Sequence, residues 1–212
     1  MMRFETHADG DASLRAKDLT CRRAGRLLFK GLNYDFIGGQ IVALRGDNGS
    51  GKTSLLRLMA GLLAPFSGQV SGAHTHQLHY IAHQNGLKTR MTVLENLTFW
   101  GRWLAPQNKI GMAPEPALNM AGLHTHMDLM AGDLSAGQKR RLSLARLLVA
   151  PRPVWLLDEP DTALDEKGQS WLRDMMGAQK AANGLVIVAT HAPLAVADTY
   201  LTLGETGAEI RQ

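Results

Sequence analysis

Gly46-Asp47-Asn48-Gly49-Ser50-Gly51-Lys52-Thr53 places glycines, a lysine and a hydroxyl at the spacing GxxxxGK[ST]. The octet follows the apolar run Ile41-Val42-Ala43-Leu44 and leads into Ser54-Leu55-Leu56-Arg57-Leu58-Met59-Ala60, which has a helical pattern. A strand, a glycine loop and a helix in that order are the setting of a phosphate-binding loop. The glycines let successive backbone N–H groups curl around phosphate oxygens, and the new helix points its positive end at the same charge. In this chemistry residues Gly46 to Ser54 hold the phosphates of a nucleotide, Lys52 reaches the β- and γ-phosphates, and the Thr53 hydroxyl is a ligand to Mg²⁺. A glycine-rich turn that binds nothing is the plain alternative, and the complete pattern in its strand-to-helix context argues against it.

A second group of reactive residues ends the apolar run Val154-Trp155-Leu156-Leu157: Asp158, then Glu159. A carboxylate at the C-terminal edge of a strand is placed to hold Mg²⁺ opposite the phosphate loop. Glu159 beside it can orient or deprotonate an attacking water. Without a phosphate loop, such a pair is as often a loop cap as a metal site.

These groups need a scaffold. Leu14–Cys21, Arg26–Phe29 and Leu32–Ile37 are strand candidates, and Gly38-Gly39 turns the chain before Ile41. They predict a small antiparallel β layer beside the nucleotide-binding sheet. The helix after the loop runs to about Leu62 or Leu63, Gln69–Ser71 is a short edge strand, and Leu78–Ala82 a central one. Thr92-Val93-Leu94-Glu95 has the form of a capping box. Its helix carries Leu94, Leu97, Thr98 and Trp100 or Gly101. Pro106, Gly111, Pro114 and Pro116 then allow only short helices up to about Ala131. The expected division is therefore one domain: a core of 1–91 and 132–212 with a helical insert at about 92–131. Leu134-Ser135-Ala136-Gly137-Gln138 opens a further helix with Lys139, Arg140 and Arg141 in its early turns. Basic residues there oppose the helix dipole, which suggests a nearby phosphate or acidic partner, or simply a solvated face. Glu166–Ala182 is a helix with Trp171, Leu172 and Met175 inward, and Leu185–Ala189 a buried strand. Ala192–Ala197 is a short helix, and Tyr200–Leu203 with Glu209-Ile210 a hairpin. Strands alternating with helices in this half indicate a mainly parallel α/β sheet.

The chain has 212 residues and a net charge of +4, which suits an anionic surface but equally a scatter of surface Lys and Arg. Cys21 is the single cysteine, so no internal disulfide forms. The N-terminal residues do not have the form of a signal peptide, and no run approaches the roughly 18 to 20 apolar residues of a membrane span. Direct membrane insertion is not expected.

Gly46–Thr53, Gln84 after a strand, Leu134–Gln138, Leu156–Pro160, Ala163-Leu164-Asp165 and His191 together, in this order, resemble the ATP-binding cassette (ABC) ATPases. The resemblance covers almost the whole chain. It implies a P-loop NTPase fold of the ABC type and assigns roles residue by residue. Gln84 contacts Mg²⁺ or the attacking water, Glu159 is the catalytic glutamate, and His191 the switch histidine near the γ-phosphate. Ser135, Ala136, Gly137 and Gln138 form the signature segment, which meets ATP held by a second copy of the chain. Asp165 belongs to the loop that crosses the dimer interface. Ala136 replaces a commoner glycine, Thr162 a frequent serine, and Arg22-Arg23 stand where an aromatic usually stacks on adenine.

Tyr80–Thr89, Thr92–Leu97, Leu134–Leu148 and Thr190–Leu194 are more closely similar to the ATPase subunits of bacterial cytochrome c maturation systems, known as a haem exporter family. That resemblance implies a membrane-spanning permease as partner at the cytoplasmic face of the inner membrane. ATP hydrolysis is then coupled to haem handling or to release of a haem-loaded chaperone. His74, His76, His79, His83, His124 and His126 are read as scattered surface histidines, not a haem site. The alternatives are another ABC exporter, a soluble ABC protein acting on nucleic acid or ribosomes, and a nucleotide-sensing structural module. Nucleic acid is not an expected partner: the chain has one cassette and no basic tail, and its catalytic set argues against a sensor. Trp100 and Trp103 either pack inside the helical lobe or line the dock for the partner.

Overall fold

The first strands are β1 (Leu14–Arg23), β2 (Arg26–Phe36) and β3 (Gln40–Arg45). The turn between β1 and β2 has Ala24 at φ 46° and Gly25 at φ 82°, the two positive values of a tight turn that matches strand twist. β2 is one strand where the sequence suggests two. Gly31, at φ 64°, bends it without ending its pairing, and Asn33 exchanges hydrogen bonds of 2.9 Å with Asp18 where β1 bulges. This computed structural model describes residue 4, residues 12–104 and 111–204, and the backbone of 207–211.

Helix α1 (Lys52–Met59) ends sooner than its apolar pattern predicts. Gly61 at φ 69° closes it, the Gly61 N–H donating to Leu58 and the Leu62 N–H to the Arg57 carbonyl, which satisfies the last orphan acceptors. Then follow β4 (Ser67–Gly72), β5 (Leu78–Ile81), α2 (Val93–Leu104), α3 (Pro114–Met120) and α4 (Ala136–Val149). The chain continues with β6 (Val154–Asp158), α5 (Glu166–Ala181), β7 (Leu185–Ala189), β8 (Thr199–Gly204) and β9 (Gly207–Arg211).

The chain divides into two compact units, Met1–Tyr80 with Pro153–Glu159 and Met175–Gln212, and Ile81–Arg152 with Pro160–Asp174. The first holds the antiparallel layer β2-β1-β4 and most of a sheet of order β5-β6-β7-β3-β8-β9. β6 with β7, β7 with β3 and β3 with β8 are parallel, and β9 turns back antiparallel. Every residue of β6 and β7 is buried, as interior parallel strands require. β5, expected as a central strand, lies at the edge of the sheet: its apolar pattern reports burial, and burial does not need a neighbour on both sides. The expected helix at 192–197 is absent. Pro193 pushes Ala192 before it out of the α region, and the segment that follows makes a single turn closed by Ala197 N–H to Leu194 O.

In the second unit α2, α3 and α4 pack together. Thr92 and Glu95 form the expected capping box, with bonds of 2.8 and 3.1 Å. The buried face of α2 differs from the expectation: Val93, Asn96 and Leu97 are inward and Leu94 only partly so. Asn96 explains the rotation. Its amide accepts from the Lys88 N–H and donates to the carbonyls of Lys88, Met91 and Thr92, holding the preceding loop on the helix start. Trp171, expected inward on α5, is half-buried, while Leu172 and Met175 are buried.

Candidate nucleotide site

In the first unit, parallel strands β3, β6 and β7 end at the same edge, so the segments that follow them come together there. After β3 the loop Gly46–Gly51 curls with Gly46 at φ 128°, Gly49 at φ 83° and Gly51 at φ 105°. A Cβ on Gly46 would lie 2.6 Å from Ser50 Oγ and 2.8 Å from the Leu203 carbonyl, so only glycine fits that place. α1 starts at Lys52 with no side-chain cap on its first turn, which leaves the opening amides to an outside acceptor. Ser50 Oγ is shielded from solvent and lacks a hydrogen-bond partner, an unmet need that a phosphate oxygen in the loop would answer.

Lys52 is 7% exposed and folds over the loop, its Nζ donating to the carbonyls of Gly46 at 2.6 Å and Asp47 at 3.1 Å. Burial pulls its pKa down, against the upward pull of Glu159, Asp47 and Asp158. A cation held short of full solvation beside three carboxylates is readied for phosphate charge. Thr53 donates its hydroxyl to Asp158 Oδ1 at 2.9 Å, and Tyr80 donates to Asp158 Oδ2 at 3.3 Å. Arg57 Nε in turn donates to the Tyr80 oxygen at 3.4 Å. The sequence reading missed Tyr80 and Arg57; strand alternation gives no sign that a tyrosine will reach a carboxylate at the end of the neighbouring strand. Ser54, in the first turn of α1, is half-buried and bonds to the Cys21 thiol, whose pKa burial pushes up.

Glu159 follows β6 with φ 48°, a left-handed backbone that costs a side-chain-bearing residue about 1–2 kcal/mol. Its N–H bonds to the Ala189 carbonyl at 2.9 Å, which holds it against the end of β7. Two residues past that end, His191 Nε2 lies 3.4 Å from Glu159 Oε1, and Arg45 donates to the His191 carbonyl. Lys52, Thr53, Asp158, Glu159 and His191 are thus brought together in one unit. Arg22, suggested near adenine, donates to the Gly25 carbonyl at 3.0 Å and stands over the exposed Phe66 ring at 5.8 Å.

The second unit carries Gln84 and Ser135–Gln138. Gln84 is exposed in the loop after β5. Ser135 caps α4: its Oγ accepts from the Gln138 N–H at 3.3 Å and its own N–H donates to Gln138 Oε1 at 2.8 Å. That fixes the Gln138 amide so that Nε2 faces His126 Nε2 at 2.9 Å, while Thr125 Oγ1 lies 3.1 Å from His126 Nδ1. The Ala136 and Gly137 amides have no acceptor within the helix. Ala136 is exposed and tolerates its methyl, whereas a Cβ on Gly137 would lie 2.6 Å from the Ala163 carbonyl. Asp165 caps α5 by accepting from the Gly168 N–H at 2.9 Å. The three early basic residues of α4 turn back onto the protein. Lys139 bonds to the Gly132 carbonyl, Arg140 is 3% exposed, and Arg141 is half-buried. Arg146 is buried over the Trp100 ring, its pKa lowered to about 10 by burial and by Arg140. Among the histidines taken as surface residues, His79 is buried.

Residues 29–162 match the family model described as ABC transporter. Over 198 residues the chain is 44% identical to the protein named cytochrome c biogenesis ATP-binding export protein CcmA of Rhodopseudomonas palustris (strain HaA2), covering 90% of this chain and 98% of that protein. The protein of the same name from Nitrobacter winogradskyi is 46% identical over 198 residues, with the same coverage of 90% and 98%. Among solved structures, a dimeric ATP-binding cassette in a post-hydrolysis state with ADP and Pi superposes with a TM-score of 0.81 at 20% identity, over 94% of this chain and 98% of that one. The fold is therefore that of a P-loop ABC ATPase, and the chain belongs to the ABC transporter family, among its cytochrome c biogenesis ATP-binding export proteins.

Proposed function

We propose that this chain is the ATP-hydrolysing subunit of an ABC complex for c-type cytochrome biogenesis, coupling hydrolysis to haem handling, or to release of a haem-loaded chaperone, by a membrane partner. The observation that carries the ATPase reading is the convergence of Lys52, Thr53, Asp158 and the Glu159–His191 pair beyond β3, β6 and β7. The cytochrome assignment rests on the relatives' identity over nine-tenths of the chain.

In this reading Gly46–Ser54 wrap the phosphates of ATP with backbone amides, and Lys52 moves from the loop carbonyls to the β- and γ-phosphates. Thr53 Oγ1 and the Asp158 carboxylate are hard oxygen donors and fit Mg²⁺. When bound, that metal supplies charge neutralisation at the phosphates. Glu159 orients and deprotonates the attacking water, and His191 holds the carboxylate in place from Nε2. Ser135–Gln138 present the Ala136 and Gly137 amides to the γ-phosphate of ATP on a second copy, so two chains close head to tail around two nucleotides. The whole chain then acts as one ATPase domain whose helical insert spans about 92–131.

No helix among the described residues is long and apolar enough to cross a membrane. The partner is the membrane-spanning permease of the cytochrome c maturation system, at the cytoplasmic face of the inner membrane. A groove of about 590 Å³ supports a docking place for it on the helical lobe, lined by Met91, Leu94, Phe99, Arg102 and Trp103 among others. Trp103, 72% exposed and stacked on Phe99, does not pack inside the lobe, whereas Trp100 does.

The test is deletion of the gene and measurement of covalently bound haem in c-type cytochromes. Loss is expected, restored by the wild-type chain and not by Lys52→Ala, whose ATPase should fall on the order of a hundredfold. Unchanged covalent haem in the deletion strain refutes the cytochrome assignment, and unchanged turnover of Lys52→Ala refutes the role of the lysine.

A further inference from the structure

Arg140 is a charged side chain only 3% exposed, in the second turn of the helix capped by Ser135. Its guanidinium spans two pieces of chain far apart in sequence. Nη1 donates to the Ala82 carbonyl at 2.8 Å and to Asn85 Oδ1 at 3.2 Å, gripping the loop on both sides of Gln84. Nε donates to the Pro160 carbonyl at 3.1 Å, one residue beyond Glu159. One turn further along α4, Ser143 Oγ donates to the Asn85 carbonyl at 3.1 Å, so the same helix face holds the loop twice. A guanidinium is suited to this work: its rigid fork keeps several donors at fixed angles and stays charged when buried. Hydrogen bonds from a charged donor are also the ones that cost most to lose inside a protein.

The consequence is mechanical. Gln84 is itself exposed and held by its neighbours, not by its own packing. The helix that fixes those neighbours is the one whose tip is the Ser135–Gln138 segment. We propose that Arg140 is a positioning residue for hydrolysis: it ties the signature helix to the Gln84 loop and to the chain leaving Glu159, so that movement of the helix tip on nucleotide is transmitted to both. This rests on the ATPase reading above. It assigns Arg140 no contact with nucleotide, so binding and turnover should separate when it is removed.

The experiment uses the full chain and compares Arg140→Ala, Arg140→Lys and Asn85→Ala with wild type. It measures kcat and KM for ATP, the Kd of a fluorescent ATP analogue without turnover, and the unfolding temperature. Arg140→Ala should lower kcat about tenfold or more with Kd changed less than about threefold, the pattern of a group that aligns the reacting parts. Arg140→Lys should recover part of the rate, because an ammonium reaches some of the three oxygens but not all. Asn85→Ala keeps both carbonyl bonds of Arg140, so it serves if Arg140→Ala does not fold, and it should lower kcat by about threefold at unchanged Kd. A folded Arg140→Ala with wild-type kcat overturns the proposal. So does a kcat that falls only in step with nucleotide affinity and unfolding temperature, or an Asn85→Ala with wild-type kcat where Arg140→Ala is unfolded. Full turnover by Lys52→Ala in the same assay would mark failure of the ATPase reading itself, whatever Arg140 does.

Discussion

Gly137→Ala adds one methyl group to the segment proposed to meet the second copy's nucleotide. The new Cβ would stand 2.6 Å from the Ala163 carbonyl oxygen, about 0.8 Å inside the 3.4 Å at which ordinary contact begins. Neither side yields easily. Ala163 has a left-handed backbone at φ 66°, and Gly137 sits in a helical turn fixed by the Ser135–Gln138 capping box. Overpacking of this kind costs about 1–3 kcal/mol. At about 2–4 °C per kcal/mol for a chain of this size, the unfolding temperature should drop by about 2–12 °C. If the strain is relieved by displacing the helix tip toward 1 Å, turnover should fall by up to about a hundredfold. Thermal unfolding followed by circular dichroism and steady-state ATPase measured on the same preparation read both effects. Ala136→Gly is the control, one residue earlier on the exposed side, where lost helix propensity costs less than about 1 kcal/mol. A Gly137→Ala protein that melts and turns over like wild type would refute the close-approach account of this glycine.

Two further outcomes follow from the same geometry. Asn96→Ala strips a fully buried amide from one N–H and three carbonyls of the loop 88–92, so unfolding by urea should show a loss of about 2–4 kcal/mol; an unchanged midpoint would mean the loop finds other partners. Glu159→Gln keeps the shape of the side chain beside His191 but removes the base, and it should run as an ATP-dependent dimer on a sizing column. Persistent monomer at saturating ATP with Mg²⁺ would count against the head-to-tail composite site.

Local chemistry is what a sequence displays best, and here it displayed the glycine loop, the Asp158-Glu159 pair and the Thr92 cap, because each depends on residues close in the chain. Where strand neighbours or helix facing depend on distant partners, the pattern misled. Leu78–Ile81 is apolar because it is buried, yet it is an edge strand. α2 is turned by the four hydrogen bonds of Asn96, a polar residue that a hydrophobic count assigns to the outside. Arg140 is the sharpest case. Three consecutive basic residues near a helix start suggest an anion or a solvated face, since the helix dipole opposes them. The structure gives the middle one a different reason to exist: carbonyl oxygens in two separate loops, one of them buried, need a donor, and a guanidinium can serve both at once. A charge that looks unfavourable for its own helix is thus explained by unmet acceptors elsewhere in the fold, and no window along the chain contains both halves of that account.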